Sequence, residues 1–447
     1  MELVTKAIKG TLDTLPSESY KIQYLEAAMR ETAENFGFFE VRTPVFEHTE
    51  LFQRGVGETT DVVQKEMYTF DDKGGRSITL RPEGTAGAVR AYLEHGVFND
   101  GAPQKMSYIT SCYRYEKPQA GRLREFHQFG VENFGSGAPL ADAEIISLAK
   151  EIFDYLDVKN ISLEINSIGC PECRKEYHKA LKAYFESKKD MLCETCLERL
   201  DKNPMRILDC KNPECKKVCE NAPVVIDYLC DDCKAHFESV KSQLDAMGIE
   251  YKVNPTIVRG LDYYTRTVFE FVSNEIGAQG TVCGGGRYDG LVEELGGNPT
   301  PACGFGLGLE RLLLLMENQG TAFPQRKPCE LYIASMDDKS LLKAAQLGYE
   351  LRKEGMSVQY DVVGRSLKAQ MKYANKIGAA YTVVLGESEL ESGEIKLKNM
   401  EDGTEREMKL DTFVSDFQTV ALENALKDFD FGDVGIDDIN GVFGGDK

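Results

Sequence analysis

The stretch Phe126-His-Gln-Phe-Gly-Val-Glu-Asn-Phe134 is the strongest constraint on the fold, because large apolar and polar side chains alternate along it. This period of two is typical of an antiparallel strand with one face on a core and the other at a site. Gln128 and Glu132 are four residues apart, so both side chains point to the same face. The sequence therefore predicts an antiparallel sheet with polar groups on one face.

The surrounding chain predicts a mixed α+β domain over residues 1–326. β-forming residues indicate strands at 38–44, 77–81, 106–115, 161–166, 266–272 and 279–283. Apolar residues at helical spacing indicate helices at 18–36 and 140–156, and a third that begins near Leu307. A cysteine-rich helical insertion occupies about 170–250.

A different pattern follows Arg326-Lys-Pro328. Predicted strands at 330–335, 356–360 and 381–385 alternate with predicted helices at 339–354 and 366–377. Such alternation is typical of a parallel α/β sheet, so we expect a separate α/β domain over 327–420. The tail, 421–447, has six aspartates and few aliphatic residues, and we expect it to be disordered.

Charge and hydrophobicity exclude several classes of protein. The chain has no run of about 18 apolar residues, so no membrane span is expected. Its N-terminus lacks the basic and apolar regions of a secretory signal, and we expect a cytoplasmic protein. The net charge of −20 argues against nonspecific binding to nucleic acid, although a local basic surface remains compatible with it.

Two segments carry residues suited to a nucleotide. In Arg114-Tyr-Glu116, the arginine and glutamate share a face of a strand. The guanidinium can clamp a phosphate and the carboxylate can accept from an exocyclic amine. In Cys303-Gly-Phe-Gly-Leu-Gly-Leu-Glu-Arg311, three alternate glycines require another group to approach the backbone closely, and Arg311 follows on a helix. The alternatives are a solvated surface hairpin and a plain strand–helix contact.

Taken together, these two segments resemble motifs 2 and 3 of class II aminoacyl-tRNA synthetases. Residues 18–44, which end at Pro44, are similar to motif 1. The resemblance implies the class II synthetase fold: an antiparallel sheet that binds ATP, in a homodimer formed through motif 1.

Three further segments resemble the histidyl-tRNA synthetase family: Thr79-Leu-Arg-Pro-Glu-Gly-Thr85, Arg259-Gly-Leu-Asp-Tyr-Tyr-Thr-Arg-Thr-Val-Phe-Glu270 and Gly284-Gly-Gly-Arg-Tyr-Asp289. The likeness runs from about Ile8 to about Leu385, and departs where Lys9-Gly replaces a frequent Arg-Gly. It implies ATP-dependent activation of L-histidine to histidyl-adenylate. Transfer to the 3′ end of tRNA(His) follows, with release of AMP and pyrophosphate. It also implies an anticodon-binding role for 327–420.

The resemblance also assigns roles within the site. The histidine ammonium is expected at Glu83, Thr85 and Gln128, and the imidazole at Glu132 and Tyr264, with Tyr263 and Tyr288 close by. Arg114, Arg259 and Arg311 are expected on the phosphates, Glu116 on adenine, and Mg²⁺ on the pyrophosphate oxygens. The structural alternatives are an Arg259–Asp262 ion pair, an ordinary Tyr263–Tyr264 packing pair, and Glu83 as an acid that begins a helix.

Contacts with tRNA are expected in two places. Residues 364–378 contain four cations and no acid, at spacings that would align them on one helix face: Arg365, Lys368, Lys372 and Lys376. Such a stripe suits phosphates, but a solvated helix face has the same pattern. Gln119 and Arg122, in the loop of motif 2, are candidates for contact with the acceptor end.

Nine of the thirteen cysteines lie between Cys170 and Cys233. Three CxxC pairs, 170/173, 193/196 and 230/233, indicate one or two structural zinc sites, with 170/173 and 230/233 as one possible set. Cys210 and Cys215 form a looser pair, and Cys219 is left over. The alternative is a group of reduced, partly buried thiols.

Two other functions are compatible with parts of this pattern. A non-catalytic, synthetase-like regulatory subunit of ATP phosphoribosyltransferase would share the catalytic fold. However, such subunits typically lack the full arginine set and the C-terminal domain. A class II synthetase for proline or threonine would share motifs 2 and 3.

Overall fold

The computed structural model describes residues 4–57, 60–208, 210, 212–277, 280–324 and 329–427. The chain forms two compact units, and the first ends at Pro324. The predicted domain boundary at 326/327 falls within 325–328, outside the described residues. None of the described helices has the length and apolar character that a membrane crossing requires.

The first unit combines a large sheet, a small sheet and a helical insertion. Its helices are α1 (Ser19–Asn35), α2 (Thr49–Val56), α3 (Thr85–Glu94), α4 (Pro139–Tyr155), α5 (Pro171–Glu186), α6 (Glu194–Lys202), α7 (Pro213–Cys219), α8 (Asp231–Ala246), α9 (Leu291–Glu294) and α10 (Leu309–Asn318). Its strands are β1 (Phe39–Glu40), β2 (Phe46–His48), β3 (Tyr68–Asp71), β4 (Ser77–Leu80), β5 (Gln104–Tyr113), β6 (Glu125–Phe134), β7 (Ser162–Ser167), β8 (Lys252–Val253), β9 (Thr265–Val272), β10 (Thr281–Arg287) and β11 (Ala302–Gly308).

The large sheet has the order β1-β5-β6-β11-β10-β9-β7-β8. The predicted antiparallel sheet is confirmed, since only the edge pairs β1–β5 and β7–β8 run parallel. The glycines Gly284–Gly286 lie inside β10, whereas the sequence analysis ended that strand at 283. A strand without side chains at these positions is stable here because it is paired on both edges.

One face of the large sheet is covered by helices α1, α4, α8 and α10. The apolar stripe of α4, which includes Ile145, Leu148 and Ile152, is fully buried in the core that also contains Phe129 and Val131 of β6. Burial of side chains of this size stabilises the fold by about 1.5–3 kcal/mol each. Because Phe129 and Val131 fill this face, the alternate residues of β6 point to the opposite face.

The second unit has a mixed sheet of order β13-β12-β14-β15-β16. Its strands are β12 (Leu331–Ser335), β13 (Val358–Tyr360), β14 (Tyr381–Leu385), β15 (Glu394–Asn399) and β16 (Glu405–Lys409), and its helices are α11 (Asp338–Lys353), α12 (Leu367–Lys376), α13 (Glu387–Ser392) and α14 (Phe413–Lys427).

The predicted parallel arrangement is confirmed for the three predicted strands, but two further strands of this sheet were not predicted. Strands β12, β13 and β14 are parallel, but β15 and β16 form an antiparallel hairpin. Helix α14 also extends into the tail that was expected to be disordered from 421, because its buried residues Phe413 and Phe417 anchor it to the core. The rest of that tail, 428–447, lies outside the described residues.

Candidate active site

A cavity of about 540 Å³ lies over the open face of the large sheet. Strands β6, β9, β10 and β11 form its floor, and α10, the loop after β5 and the segment 259–264 form its walls. Ten of the predicted site residues line it: Glu83, Thr85, Arg114, Glu116, Arg122, Gln128, Arg259, Tyr263, Tyr264 and Arg311. The structure therefore brings together residues from five separate segments of sequence.

The alternate glycines of β11 lie directly opposite two polar residues of β6. Gly304 pairs with Glu132 and Gly306 pairs with Gln128 in the antiparallel register. A Cβ atom added at Gly304 would overlap the Glu132 carboxylate, and one added at Gly306 would overlap the Gln128 amide. The predicted close approach to these glycines is confirmed, but side chains of the protein itself make that approach.

Glu132 and Tyr288 are not among the residues that line the cavity; Glu132 is completely buried behind its wall. Its carboxylate accepts hydrogen bonds from Tyr108, at 2.9 Å, and from the Tyr288 hydroxyl. Burial raises the pKa of Glu132 to about 8, although the surrounding hydroxyl donors oppose that rise. Tyr263 packs edge-on against Tyr288, with 5.5 Å between ring centroids, and extends this wall towards Tyr264.

Arg259 is held on the opposite side of the cavity by Glu270, with which it forms an ion pair. Its guanidinium lies 5.5 Å from the Tyr264 ring centroid and above Gly284, where any side chain would displace it. The alternative pair with Asp262 is wrong, because Asp262 binds Arg206 at 2.9 Å. Arg259 has φ of 55°, a left-handed conformation that costs a non-glycine residue about 1–2 kcal/mol.

Arg114 and Arg311 lie on the nucleotide side of the cavity. Arg114 donates through Nε to the carbonyl of Pro82 at 2.8 Å and lies over the Phe126 ring. Arg311 donates through Nε to the carbonyl of Thr281 at 2.7 Å. Burial, together with the nearby Arg122 cation, lowers the pKa of Arg311 to about 10. A buried cation next to another cation is a favourable position for an anion.

Sequence and structure comparisons identify the protein's relatives. The family model for histidyl-tRNA synthetase matches residues 10–312, and the model for the anticodon binding domain matches residues 330–419. The histidine–tRNA ligase of Acetivibrio thermocellus is 59% identical over 92% of this chain and 99% of its own length. The corresponding ligase of Caldanaerobacter subterraneus is 57% identical over 92% of this chain and 98% of its own length.

The crystal structure of apo histidyl-tRNA synthetase from Staphylococcus aureus superposes with a TM-score of 0.80, at 40% identity, and covers 93% of this chain and all of that one. The chain belongs to the histidyl-tRNA synthetase family. The predicted class II synthetase fold with an anticodon-binding domain is thereby confirmed. A Bacillus halodurans structure, described as an ATP phosphoribosyltransferase regulatory subunit/histidyl-tRNA synthetase, shares the fold at 22% identity, with a TM-score of 0.63 over 86% of this chain and 99% of its own length.

Two residues expected at the histidine ammonium of a histidyl-tRNA synthetase also support local structure here. The Glu83 carboxylate accepts the backbone N–H groups of Thr85, at 2.6 Å, and of Ala86, at 2.8 Å. Glu83 therefore caps the N-terminus of α3, as the alternative interpretation held, while it also lines the cavity. The Gln128 carbonyl oxygen accepts the Gly84 N–H at 3.2 Å and is fixed in the same way.

Four residues of the site were missed by the sequence analysis. Tyr108 donates to Glu132, Glu270 holds Arg259, and Glu310 and Arg206 line the cavity. Glu310 also accepts hydrogen bonds from His127. Of these four residues, only Tyr108 could have been predicted from the sequence. Gly130 lies between Gln128 and Glu132 on the same face of β6, which indicates that a side chain of the neighbouring strand fills this space, and Gly130 pairs with Tyr108.

The residues expected at tRNA are arranged differently from the prediction. Glu116 and Arg122 form an ion pair at 2.9 Å, and Gln119 pairs with Arg122 through the backbone of the same loop. In the second unit, Arg365 precedes α12 instead of lying on it, and it pairs with Asp361 at 2.8 Å. The predicted four-residue stripe is thus three exposed lysines of α12: Lys368, Lys372 and Lys376.

The cysteine-rich insertion contains two groups of four thiols. Cys170, Cys173, Cys230 and Cys233 form one group, and Cys193, Cys196, Cys210 and Cys215 form the other. Within each group, all sulfur atoms lie within 4.8 Å of one another. The first group is the set that the sequence pattern suggested. The second group brings the looser pair, Cys210 and Cys215, together with Cys193 and Cys196.

Proposed function

We propose that this chain activates L-histidine with ATP to form histidyl-adenylate and pyrophosphate, and then transfers the histidyl group to the 3′ end of tRNA(His), releasing AMP. The observation that carries the proposal is the division of one cavity into two chemically different ends. Partly buried arginines line one end, and Tyr263 and Tyr264 line the other, with the fully buried Glu132 behind them on Tyr288. Such a cavity can hold a polyphosphate and an imidazole side by side.

In the first step, an oxygen of the histidine carboxylate attacks the α-phosphorus of ATP, and the bond to pyrophosphate breaks. Negative charge grows on the α-phosphoryl oxygens in the transition state, so cations held in place lower the barrier. Arg114 and Arg259 approach from opposite walls and stabilise that charge, while Arg311 binds the outer phosphates and Glu116 the adenine. Arg259 needs little reorganisation during the reaction, since Glu270 already orients its guanidinium.

The histidine end supplies selectivity. Glu83, Thr85 and Gln128 bind the ammonium, and Glu132 accepts from the imidazole, with Tyr264, Tyr263 and Tyr288 enclosing the ring. An analogue that cannot donate to Glu132 would leave a buried acceptor unpaired, which costs about 1–3 kcal/mol. The pocket thus discriminates by hydrogen bonding as well as by size.

Mg²⁺ accompanies ATP in this family. The cavity fits the ion, because Glu270 and Glu310 place carboxylate oxygens on its wall, and Mg²⁺ prefers oxygen ligands. The ion would neutralise charge on the pyrophosphate oxygens.

In the second step, the terminal ribose 3′-hydroxyl of tRNA(His) attacks the adenylate carbonyl and AMP leaves. We assign the acceptor end to the motif 2 loop, with Gln119 and Arg122. The second unit, residues 327–420, binds the anticodon arm through Lys368, Lys372 and Lys376, with Arg365 beside them. The three lysines are exposed at the ends of flexible side chains, as phosphate contacts require.

The decisive experiment is amino-acid-dependent exchange between ATP and pyrophosphate. We expect exchange with histidine alone. No exchange with any amino acid would favour the regulatory-subunit alternative, and exchange with proline or threonine would favour another synthetase.

Arg259→Ala should reduce the rate of histidine-dependent exchange at least 100-fold, as the loss of a preorganised transition-state contact does. Arg406→Ala, at a largely exposed position in the second unit, is the matched control and should change nothing. An unchanged rate for Arg259→Ala would exclude that arginine from the site.

We propose that the protein is a homodimer through the motif 1 segment. Phe39 and Phe46 are 67% and 57% exposed, and β1 is an open edge of the large sheet. Exposed aromatic groups beside an unpaired edge favour association. Light scattering after gel filtration should give twice the chain mass for the native protein and the single mass for Phe46→Asp. Leu342→Asp, at a position in the second unit that is also exposed, should leave the dimer intact, and a monomeric native protein would refute the assignment.

We also propose a cytoplasmic location and bound structural zinc in the insertion, with Cys170, Cys173, Cys230 and Cys233 as one ligand set. All thirteen cysteines are free thiols, and a reducing compartment keeps them available as metal ligands. Metal analysis of freshly purified, reduced protein tests the zinc assignment, and a metal-free protein would refute it.

A further inference from the structure

We infer that the insertion binds two metal ions, each through four thiolates, and that each ion fixes one of two arginines that position the segment 259–265 of the histidine pocket. The inference rests on the proposed function for its consequence in catalysis. Its structural part depends only on the two thiol groups and on the contacts of Arg174 and Arg206.

The sulfur positions in both groups fit a single tetrahedral ion. Zinc binds thiolate at about 2.3 Å in tetrahedral geometry, which places two ligand sulfurs about 3.8 Å apart. The observed separations are 3.5 Å for Cys170–Cys173, 4.0 Å for Cys170–Cys230 and 3.8 Å for Cys193–Cys210. Iron–sulfur clusters contain several irons and spread their cysteines more widely, so the spacing favours one ion in each group.

The backbone around both groups is arranged to stabilise thiolates. Cys170, Cys230 and Cys193 are the residues that immediately precede α5, α8 and α6, where helix N–H groups and the helix dipole favour negative charge. The Cys230 N–H donates to the Cys173 sulfur at 3.1 Å, and the Cys193 N–H donates to the Cys215 sulfur at 3.2 Å. The same device occurs in both groups, although their ligand spacings in the sequence differ.

Each thiol group lies beside an arginine that contacts the histidine pocket. Arg174 follows Cys173 directly on α5, and its Nη1 donates to the Tyr264 carbonyl at 3.2 Å. Arg206 lies in the short turn Pro204–Ile207 between Cys196 and Cys210, and its Nη2 donates to the Gly260 carbonyl at 2.8 Å and to Asp262 at 2.9 Å.

The two arginines therefore hold the segment 259–265 at both ends. This segment includes Arg259, whose backbone is in the unfavourable left-handed region, so its conformation depends on outside contacts. Removal of a metal ion leaves four thiols without a common partner and releases either the start of α5, which carries Arg174, or the turn between Cys196 and Cys210, which carries Arg206. The histidine pocket is thus coupled to metal occupancy, whereas the nucleotide arginine Arg114 on the other wall is not.

The first test is metal stoichiometry, measured by mass spectrometry on the reduced, full-length protein. We expect two zinc ions per chain in the native protein, and one in each of Cys230→Ser and Cys196→Ser. Cys219→Ser is the matched control, because this cysteine lies in the same insertion but donates to the Ile207 carbonyl outside both groups, and it should retain two. Replacement by Co²⁺ should give the visible absorption of tetrahedral thiolate coordination. One ion or none in the native protein overturns the inference.

The second test is the coupling to the pocket. Hydrogen–deuterium exchange of peptides covering 259–265 should speed up at least tenfold in both metal-site variants, while peptides of β6 should not change. Arg174→Gln and Arg206→Gln keep all thiols, so they should retain two zinc ions yet show the same local exchange. In pyrophosphate exchange, they should raise KM for histidine about tenfold, the effect of one charge-assisted hydrogen bond, and KM for ATP by less, through Arg259 of the same segment.

Unchanged protection of 259–265 in all four variants would overturn the coupling, and so would equal increases in KM for both substrates. Two metals and the expected protection changes, in a chain without histidine-dependent exchange, would instead overturn the proposed function and leave the metal sites in place.

Discussion

Replacing Glu132 with glutamine keeps the shape of the side chain but removes its carboxyl group, which would have to ionise in a buried position. Glu132 is fully buried, and this burial raises its pKa to about 8. An exposed glutamate has a pKa of about 4.3, so at about 1.36 kcal/mol per pH unit the buried charge is disfavoured by about 5 kcal/mol. Glutamine has no such charge.

The sign of the pH dependence follows from proton uptake. Between pH about 4.3 and about 8, the folded protein keeps a proton on Glu132 that the unfolded chain releases. The free energy of unfolding of the native protein therefore falls as pH rises through this window, and the fall ends above about 8. Glu132→Gln lacks this contribution, so its stability advantage should grow from about 1 kcal/mol at pH 5 to about 5 kcal/mol at pH 8.

Catalysis should show the opposite trend. The ionised carboxylate is the stronger acceptor for the imidazole, so kcat/KM for histidine should rise with pH to a plateau above about 8. Glu132→Gln should lose this rise and lie about 10-fold to 100-fold lower on the plateau.

Urea titration with pulse proteolysis, read on fragments of the first unit, measures the stability, and pyrophosphate exchange from pH 6 to 9 measures kcat/KM. Glu125→Gln is the matched control, since Glu125 is on the same strand and also accepts from a tyrosine, but is partly exposed. The reasoning is refuted if Glu132→Gln keeps the pH dependence of the native protein in both assays.

Three further outcomes are expected. Gly304→Ala should abolish histidine-dependent exchange and lower stability by about 1–3 kcal/mol, because its Cβ would overlap the Glu132 carboxylate and the Val131 carbonyl. Asp142→Asn should lower stability by about 3–5 kcal/mol in urea unfolding, since it leaves the completely buried Arg287 with only the partly exposed Asp289 as an anion. Reversing the three exposed charges of α12 should raise KM for tRNA and weaken its salt dependence, with pyrophosphate exchange unchanged, as measured by charging assays on the triple variant Lys368→Glu, Lys372→Glu and Lys376→Glu.

Periodicity in the sequence predicted the elements that position the site. The alternation over 126–134 identified β6 and the shared face of Gln128 and Glu132, because a paired strand must present alternate residues to opposite sides. The helical stripe of 140–156 identified α4 to within one residue at each end. Both patterns are local, and burial on one face leaves a direct trace in the sequence.

Contacts between distant segments left no such trace. Glu270 of β9 binds Arg259, which lies in the loop before that strand, while the nearer acid Asp262 pairs with Arg206 of the insertion. Both acids are equally charged and both lie within eleven residues of Arg259, so composition could not choose between them. The antiparallel hairpin of β15 and β16 was missed although buried Ile395 and Leu397 alternate with polar residues in β15, because four of the five residues of β16 are exposed.

Glycine within a strand is a local sequence feature that can reveal a contact with a residue distant in the sequence. A side chain at Gly130 would overlap the Tyr108 ring, and one at Gly284 would displace the Arg259 guanidinium. A glycine inside a paired strand lowers its stability, so it persists where another group needs the space. The group that needs the space is then expected to be the residue on the neighbouring strand that lies directly opposite the glycine and on the same face. Applied to Gly130 of β6, this rule identifies Tyr108 once the register is known, and it explains how a pocket for a small, polar ligand forms within a closely packed sheet.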